Sequence, residues 1–181
     1  MIAAAKAAPA PLAYGSNGVG SFTHLSMELF RMKAGITLTH VPYRGSAPML
    51  ADLIGGQITL AMDAVGTSMP HVTAGTLKAV AVTSAARAPS LPAVPAIAET
   101  LQGYDASPWY GVFGPARAPA PVLERLEAEL RGVLDGPAWK ALLAQRQADP
   151  VPEDRAALIR MLAVEVPAWR EAVRASGATA E

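Results

Sequence analysis

The chain of 181 residues contains no cysteine. This absence excludes disulfide bonds, thiolate metal sites and cysteine nucleophiles. No apolar run approaches the roughly 18 residues that a membrane-spanning helix requires. Aromatic residues make up only 6% of the chain. We therefore expect a folded core of small and aliphatic side chains.

The chain also lacks an excess of charge of either sign. Lys and Arg together number 15, as do Asp and Glu. A nucleic-acid surface normally shows a basic excess or stripe, so this class of partner is not expected. With hydrophobic residues at 51%, the chain is expected to fold rather than to be disordered. An anionic ligand would have to be held by local geometry rather than by the overall field.

The N-terminal stretch "MIAAAKAAPAPLAYGS" does not match a signal peptide. It lacks a basic region followed by a long apolar segment. A natural chain that began here would be expected to stay in the cytoplasm.

Strand and helix patterns alternate over residues 12–84. "PLAYGS", "ITLTHVPY", "QITLAMDAV" and "LKAVAVTS" read as strands. The segment 22–35 places Leu25, Leu29 and Met32 on one helical face, with Gly35 as its stop. A short helix with Ser46 as N-cap and another from near Ser68 are predicted between the later strands. This order predicts an α/β fold with a parallel sheet.

The second half of the chain has a different pattern. Residues 85–105 are rich in proline and predict a surface connection, followed by a short strand at "PWYGVFGP". Three helices follow, "APVLERLEAELRGVLDG", "PAWKALLAQR" and "PEDRAALIRMLAVEVPAWREAVRASG". Pro167 lies inside the last one and is expected to kink or split it, because proline removes one intrahelical hydrogen bond.

The glycine-rich stretch "YGSNGVGSFTHL" precedes the first long helix. Gly15 and Gly20 have the spacing of a phosphate-binding loop, but Ser21 and Phe22 stand where that loop requires Lys and Ser or Thr. The dinucleotide-binding spacing of glycines is absent as well. The free N–H groups of a helix N-terminus, with nearby hydroxyls, can still hold a carboxylate. The alternative is a turn capped by Ser21 that holds no ligand.

Other polar residues follow predicted strand ends. Asp63 lies near the end of an apolar run, where it can face a ligand or cap the next helix, and both interpretations stay open. Tyr43, Arg44 and Gly45 follow another strand end. The histidines are not at metal-ligand spacing, and no nucleophile elbow accompanies Ser21. The patterns therefore predict local or structural roles for the histidines and no catalytic set.

Four segments, in order, closely resemble the substrate-binding proteins of tripartite tricarboxylate transporters, the Bug family. They are "YGSNGVGSFTHLSMELF", "THVPYRGSAPMLADLIGGQITLAMD", "GTLKAVAVTSAARAPSLPAVPAIAE" and "WYGVFGPARAPAPVLERLEAEL". The resemblance implies a lobe like those of type II periplasmic binding proteins, with a parallel-rich sheet flanked by helices. It also implies a C-terminal helical segment that belongs to the other lobe.

The resemblance implies a periplasmic solute-binding protein for small organic acids, with membrane transporter subunits as partners. It implies no catalysis, metal or cofactor. Family members bind a carboxylate through loops at helix N-termini. The corresponding ligand-binding positions are Ser16, Asn17, Gly18, Gly20, Ser21, Thr23, His24, Tyr43, Gly45 and Asp63.

The chain departs from the family in being shorter. The resemblance divides it into a ligand-binding lobe at 12–105 and part of an incomplete first lobe at 106–181. The apolar residues of the second part are expected to need cover. We therefore expect either a homodimer through the surface of 106–181 or C-terminal helices that fold back on the sheet. The alternative function is an interaction or sensory domain without transport. An enzyme is the least favoured reading.

Overall fold

A computed structural model of the chain describes residues 1–146, 148 and 154–178. The strands are β1 (Leu12–Ser16), β2 (Leu38–Pro42) and β3 (Leu60–Ala61), and the helices are α1 (Ile2–Ala7), α2 (Phe22–Ala34), α3 (Ser46–Ile54), α4 (Val65–Thr73), α5 (Ala120–Leu134), α6 (Pro137–Arg146) and α7 (Arg155–Ser176), with a 3-10 turn at Ile97–Glu99. The chain divides into two compact units. One contains residues 1–107 and α7, and the other begins at residue 108 and contains α5 and α6.

The three strands of the first unit form a parallel sheet in the order β2-β1-β3. Tyr14, in the central strand, pairs with His40 on one side and Leu60 on the other. Because α2 connects β1 to β2 and α3 connects β2 to β3, each crossover between parallel strands is helical, as such strands require. The predicted α/β fold with a parallel sheet flanked by helices is confirmed.

Three predicted strands are shorter or absent. The run "QITLAMDAV" contributes only the two residues of β3, and "PWYGVFGP" forms no strand. The run "LKAVAVTS" forms a single bridge between Val82 and Ala96. Val82 donates its N–H to the Pro95 carbonyl and accepts from the Ile97 N–H. The prolines around that partner segment leave few N–H groups for a longer ladder, so pairing stops there.

The core of the first unit forms where α2 packs on the sheet. Met27, Phe30 and Ala34 of α2 are buried against Tyr14 of β1. Tyr104 belongs to the same core at 1% exposure, and its hydroxyl donates to a backbone carbonyl of α2 over 3.1 Å. The expectation that 85–105 is only a surface connection is therefore wrong at its end, which closes the core.

Helix boundaries follow local capping chemistry. Gly35 adopts a left-handed conformation with φ 59° and ends α2, as predicted. Helix α3 has Gly45 rather than Ser46 as its N-cap. Helix α4 begins at Val65, earlier than expected, because the Ala64 carbonyl already accepts the first helical hydrogen bonds. Both differences shift a helix start within one turn, where sequence signals are least specific.

The last helix, α7, returns to the first unit. It is continuous through Pro167, so the expected split is not observed. Trp169 packs on the core with its ring 5.6 Å from that of Phe22 in α2, and Ala172 is 2% exposed. Helix α7 therefore packs against α2 in this region, whereas Val164 and Val166 of the same helix are exposed.

The second unit is built around α5 and α6. Its apolar side chains include Tyr110, Phe113, Leu126 and Val133, all of which are exposed within the described residues. The predicted division into lobes at 12–105 and 106–181 stays a prediction. Among the described residues, no helix has the length and apolar character to cross a membrane.

Candidate functional site

The candidate site lies where the three strands end. Strand β1 leads through residues 17–21 into α2, β2 leads into α3, and β3 leads into α4. Because the strands are parallel neighbours, their carboxyl ends and the helix N-termini that follow share one edge of the sheet. This edge is where open α/β sheets bind ligands. The partial positive charge of each helix N-terminus favours an anion there.

The loop at 17–21 requires glycine at two positions. Gly18 and Gly20 have φ angles of 122° and 71°, which side chains with a Cβ rarely adopt. Ser21 caps α2, as predicted, because its hydroxyl accepts from the His24 N–H over 3.2 Å. The same hydroxyl donates to the Gly18 carbonyl over 2.7 Å. The turn is therefore bonded to the helix that follows it.

Ser16 supports the loop from the end of β1. Its hydroxyl lies 2.6 Å from Nε2 of His40, accepts from the Gly18 N–H over 3.3 Å and lies 3.2 Å from the Gly18 carbonyl oxygen. The residue is fully buried. All the hydrogen-bonding capacity of this hydroxyl is used inside the protein.

His24 holds the other glycine of the loop. Its Nδ1 accepts the Gly20 N–H over 3.1 Å, and the residue is 4% exposed. The ring stacks on that of His40, with centroids 3.9 Å apart and planes at 13°. Tyr14 stacks on His40 from β1, with centroids 5.0 Å apart. The predicted local hydrogen-bonding role of His24 is confirmed, and His40 lies in a strand as predicted.

Both histidines are held in the neutral form. Burial lowers the pKa of His40 to about 4, assisted by the neighbouring His24 ring and opposed by the negative charge of Glu28. Burial also lowers the pKa of His24. Glu28 accepts a hydrogen bond from the Tyr14 hydroxyl over 2.8 Å and pairs with Arg31 at 2.7 Å. Burial and this bond to a carboxylate raise the pKa of Tyr14.

Asp63 joins two helix N-termini. Its carboxylate accepts hydrogen bonds from Ser46 of α3 over 2.6 Å and from Thr67 and Ser68 of α4 over 2.6 and 2.7 Å. Ser46 in turn accepts a long bond of 3.4 Å from Nδ2 of Asn17. A continuous series of hydrogen bonds thus links the loop to α3 and α4. Asp63 orders this edge of the sheet by accepting three of them.

The remaining predicted positions lie on the same edge. The Asn17 N–H donates to the Thr23 hydroxyl over 2.9 Å. The Tyr43 hydroxyl donates to Asp52 over 2.8 Å, and Gly45 is the N-cap of α3 with φ 103°. The direct ligand contacts expected for all ten positions stay a prediction.

Some polar groups of the loop have no protein partner. Among the described residues, the N–H groups of Val19, Phe22 and Thr23 have no hydrogen-bond acceptor. Oδ1 of Asn17 is buried and likewise without a partner. The described residues contain no group of His, Asp and Glu side chains fit to hold a metal ion. The free groups are therefore mainly donors at the start of α2, the type of group that a carboxylate requires.

Sequence reasoning missed the polar layer beneath the loop, formed by Tyr14, Glu28 and Arg31. The only local signal was the i, i+3 spacing of Glu28 and Arg31 on α2. The partnership of Tyr14 with both His40 and Glu28 depends on strand register and helix packing, which no short motif encodes.

The chain matches a family of known proteins over nearly its whole length. The model of the family described as "Tripartite tricarboxylate transporter family receptor" matches residues 1–178. Protein BugT of Bordetella pertussis is 33% identical over 181 residues, which cover 98% of this chain and 55% of BugT.

Solved structures agree with this match. The R. palustris protein Rpa4515, solved with adipate, is 34% identical with a TM-score of 0.81, over 98% of this chain and 60% of that protein. MatC of Rhodopseudomonas palustris, solved with bound malate, is 28% identical with a TM-score of 0.71, over 90% of this chain and 56% of MatC. The chain thus spans between half and two thirds of the length of these relatives. The family match over nearly the whole sequence shows that the chain belongs to the tripartite tricarboxylate transporter receptor family.

Proposed function

We propose that the chain binds a small organic carboxylate as part of a solute-binding receptor for a tripartite tricarboxylate transporter. The observation that carries this proposal is the set of unpartnered N–H groups of Val19, Phe22 and Thr23 at the start of α2. Membership of the receptor family supports it. So do the adipate and malate bound by two similar proteins.

The electrostatics of the loop suit a carboxylate without a cationic side chain. Residues 17–24 contain no Lys or Arg, and His24 is neutral because burial lowers its pKa. The attraction then comes from N–H dipoles and the N-terminal end of a 13-residue helix. The shape of the loop, rather than the net charge of the protein, selects the ligand.

The ten predicted positions divide into three proposed roles. The N–H groups at the start of α2, with Asn17, Ser21 and Thr23 around them, are proposed to contact the ligand. Ser16, Gly18, Gly20 and His24 hold the loop, since their polar groups bond one another. Tyr43, Gly45 and Asp63 order the N-termini of α3 and α4 beside it.

The wider assignments follow from the family and are proposals for this chain. We place the receptor in the periplasm, with membrane transporter subunits as partners and no chemical step on the ligand. A homodimer through the surface of residues 106–181 is a further proposal. Exposed side chains such as Phe113 and Leu126 of the second unit support it.

Calorimetry with adipate and malate tests carboxylate binding directly. Adipamide, which has the length of adipate without its charges, is the matched control ligand. We expect heat and a thermal shift from at least one dicarboxylate and none from the diamide. Equal responses to adipate and adipamide, or no response to either dicarboxylate at millimolar concentration, would refute the proposal.

A charge variant locates the site on the loop. Val19 is 54% exposed, so Val19→Glu adds a negative charge beside the free N–H groups without disturbing the core. Val19→Gln is the neutral control of the same size. The introduced carboxylate should repel the carboxylate ligand by about 1–2 kcal/mol in this partly screened site. This repulsion corresponds to a loss of affinity of about tenfold. Equal affinities of the Glu and Gln variants would place the ligand elsewhere.

A further inference from the structure

We infer that His24 and His40 form a positioning pair that fixes the glycine-rich loop in the shape that leaves the N–H groups of Val19, Phe22 and Thr23 free. The pair acts on the loop and has no direct contact with the ligand. Its effect on ligand affinity rests on the proposed function, whereas its effect on the loop does not.

His24 determines the orientation of Gly20. Its Nδ1 accepts the Gly20 N–H over 3.1 Å, which requires Nδ1 to be unprotonated and the proton of the neutral ring to lie on Nε2. The ring cannot easily swing away, because His24 is in the first turn of α2 and is 4% exposed. A protonated Nδ1 would place two donors against each other and release Gly20.

His40 determines the orientation of Gly18 through Ser16. Its Nε2 lies 2.6 Å from the Ser16 hydroxyl, which contacts the N–H of Gly18 at 3.3 Å and its carbonyl at 3.2 Å. Ser16 is fully buried, so its hydroxyl is held by these protein groups rather than by bulk solvent.

The two rings act together because they are stacked. Their centroids are 3.9 Å apart, and His40 is held from its own side by Tyr14 of β1. The negative charge of Glu28 of α2 acts on both rings, and Glu28 is itself paired with Arg31 at 2.7 Å. A displacement of either ring therefore moves the other ring. It also moves the glycine that the other ring holds, which is Gly20 for His24 and Gly18 for His40.

This arrangement separates the N–H groups of the loop into two sets. The amides of Gly18 and Gly20 are used by Ser16 and His24. Those of Val19, Phe22 and Thr23 have no acceptor in the described part of the chain. If the histidines only filled space in the core, any side chain of similar volume would preserve the loop. A positioning role instead requires an acceptor at the place of Nδ1 of His24 and a hydrogen-bonding atom at the place of Nε2 of His40.

Exchange of Asn and Gln at the two positions tests that requirement. The oxygen of Asn lies near the place of Nδ1, and the terminal amide of Gln, which can donate or accept, lies near the place of Nε2. We therefore expect His24→Asn and His40→Gln to preserve the loop, and His24→Gln and His40→Asn to disrupt it. The two variants at each position have opposite expected results, so each is the control of the other.

The first measurement needs no ligand. Amide hydrogen exchange of Gly18 and Gly20, followed by NMR, should stay within about threefold of the original protein in the preserving variants. It should accelerate at least tenfold in the disrupting ones. The ¹⁵N spectrum of the unsubstituted protein should show His24 protonated at Nε2. Equal exchange in the Asn and Gln variants of one position, or His24 protonated at Nδ1, would overturn the inference even if some variants fail to fold.

Adipate and malate affinity is measured on the same variants. A loss of affinity of at least tenfold that is confined to the disrupting variants supports the inference. Failure of the unsubstituted protein to bind either acid, with the exchange pattern as expected, refutes the proposed function and leaves the positioning pair supported. Normal binding in all four variants refutes the pair as a determinant of the site.

Discussion

The first unit should become less stable as the pH is lowered, because His40 resists protonation in the folded protein. Replacing His40 with Gln should remove much of this loss of stability. In the unfolded chain this imidazole takes up a proton near pH 6.5, whereas burial and the His24 ring hold its pKa at about 4 in the folded protein. Between these values the unfolded state binds more protons than the folded state. The free energy of unfolding attributable to this group is therefore complete above about pH 6.5 and is lost as the pH falls towards 4.

The size of this effect follows from the shift. A difference between about 6.5 and about 4 corresponds to a ceiling of about 3 kcal/mol, at about 1.4 kcal/mol for each pH unit. His40 is only partly buried, and solvent screening reduces the effect, so we expect about 2 kcal/mol. His40→Gln keeps a hydrogen-bonding group near Ser16 but cannot be protonated. The difference in stability between this variant and the original protein should shift by that amount, in favour of the variant, from pH 7.5 to pH 4.5.

Urea unfolding at the two pH values measures this shift. Trp169 packs against Phe22, so its fluorescence reports the first unit when Trp109 and Trp139 are replaced by Phe. His71→Gln, in α4, is the control for replacing an imidazole by an amide outside the stacked pair. Parallel pH profiles for the original protein and His40→Gln would refute the reasoning, since they would mean that His40 titrates alike in both states.

Three further substitutions test packing and the hydrogen-bonded edge. Gly15→Ala would place its Cβ 2.7 Å from side-chain atoms of both Met49 and Ile58, so a destabilisation of about 1–3 kcal/mol is expected in thermal melts. An unchanged melting temperature would contradict that packing. Asp63→Asn cannot accept all three hydroxyl donors and should lose about 1–2 kcal/mol in urea titrations, whereas an unchanged midpoint would mean that water replaces them. Tyr104→Phe removes a buried bond of 3.1 Å and should lose about 1 kcal/mol. Equal stability of Tyr104→Phe and the original protein would show that the Tyr104 hydroxyl makes no net contribution to stability.

The sequence predicts the order of strands and helices in the first 63 residues because each element carries its own signal. Apolar spacing and Gly35 define α2, and the β-branched residues of β2 define a strand. The pattern fails at residues 77–84, where an apolar run forms only the bridge at Val82. A strand exists only where a partner offers a free backbone edge, and that condition is not local in sequence.

The structure brings the ten predicted positions to one edge of the sheet, and their contacts with a ligand stay a prediction. The glycines and Ser21 identify a loop at a helix N-terminus, since positive φ angles and capping are local requirements. They do not show which polar groups are used within the protein. That Gly20 is bonded to His24 follows from a ring orientation inside the first helical turn. That Gly18 depends on His40 follows from the pairing of two strands far apart in sequence.

The internal bonding of the loop bears on how a site without a cation can bind an anion. A glycine-rich loop has the largest conformational freedom to lose when it becomes ordered. If the ligand alone ordered this loop, that loss would be subtracted from the binding free energy. Here the amides of Gly18 and Gly20 are already bonded to Ser16 and His24, so the ordering is complete before a ligand arrives. Neutral N–H donors can then provide useful affinity, because association does not have to offset the disorder of the loop.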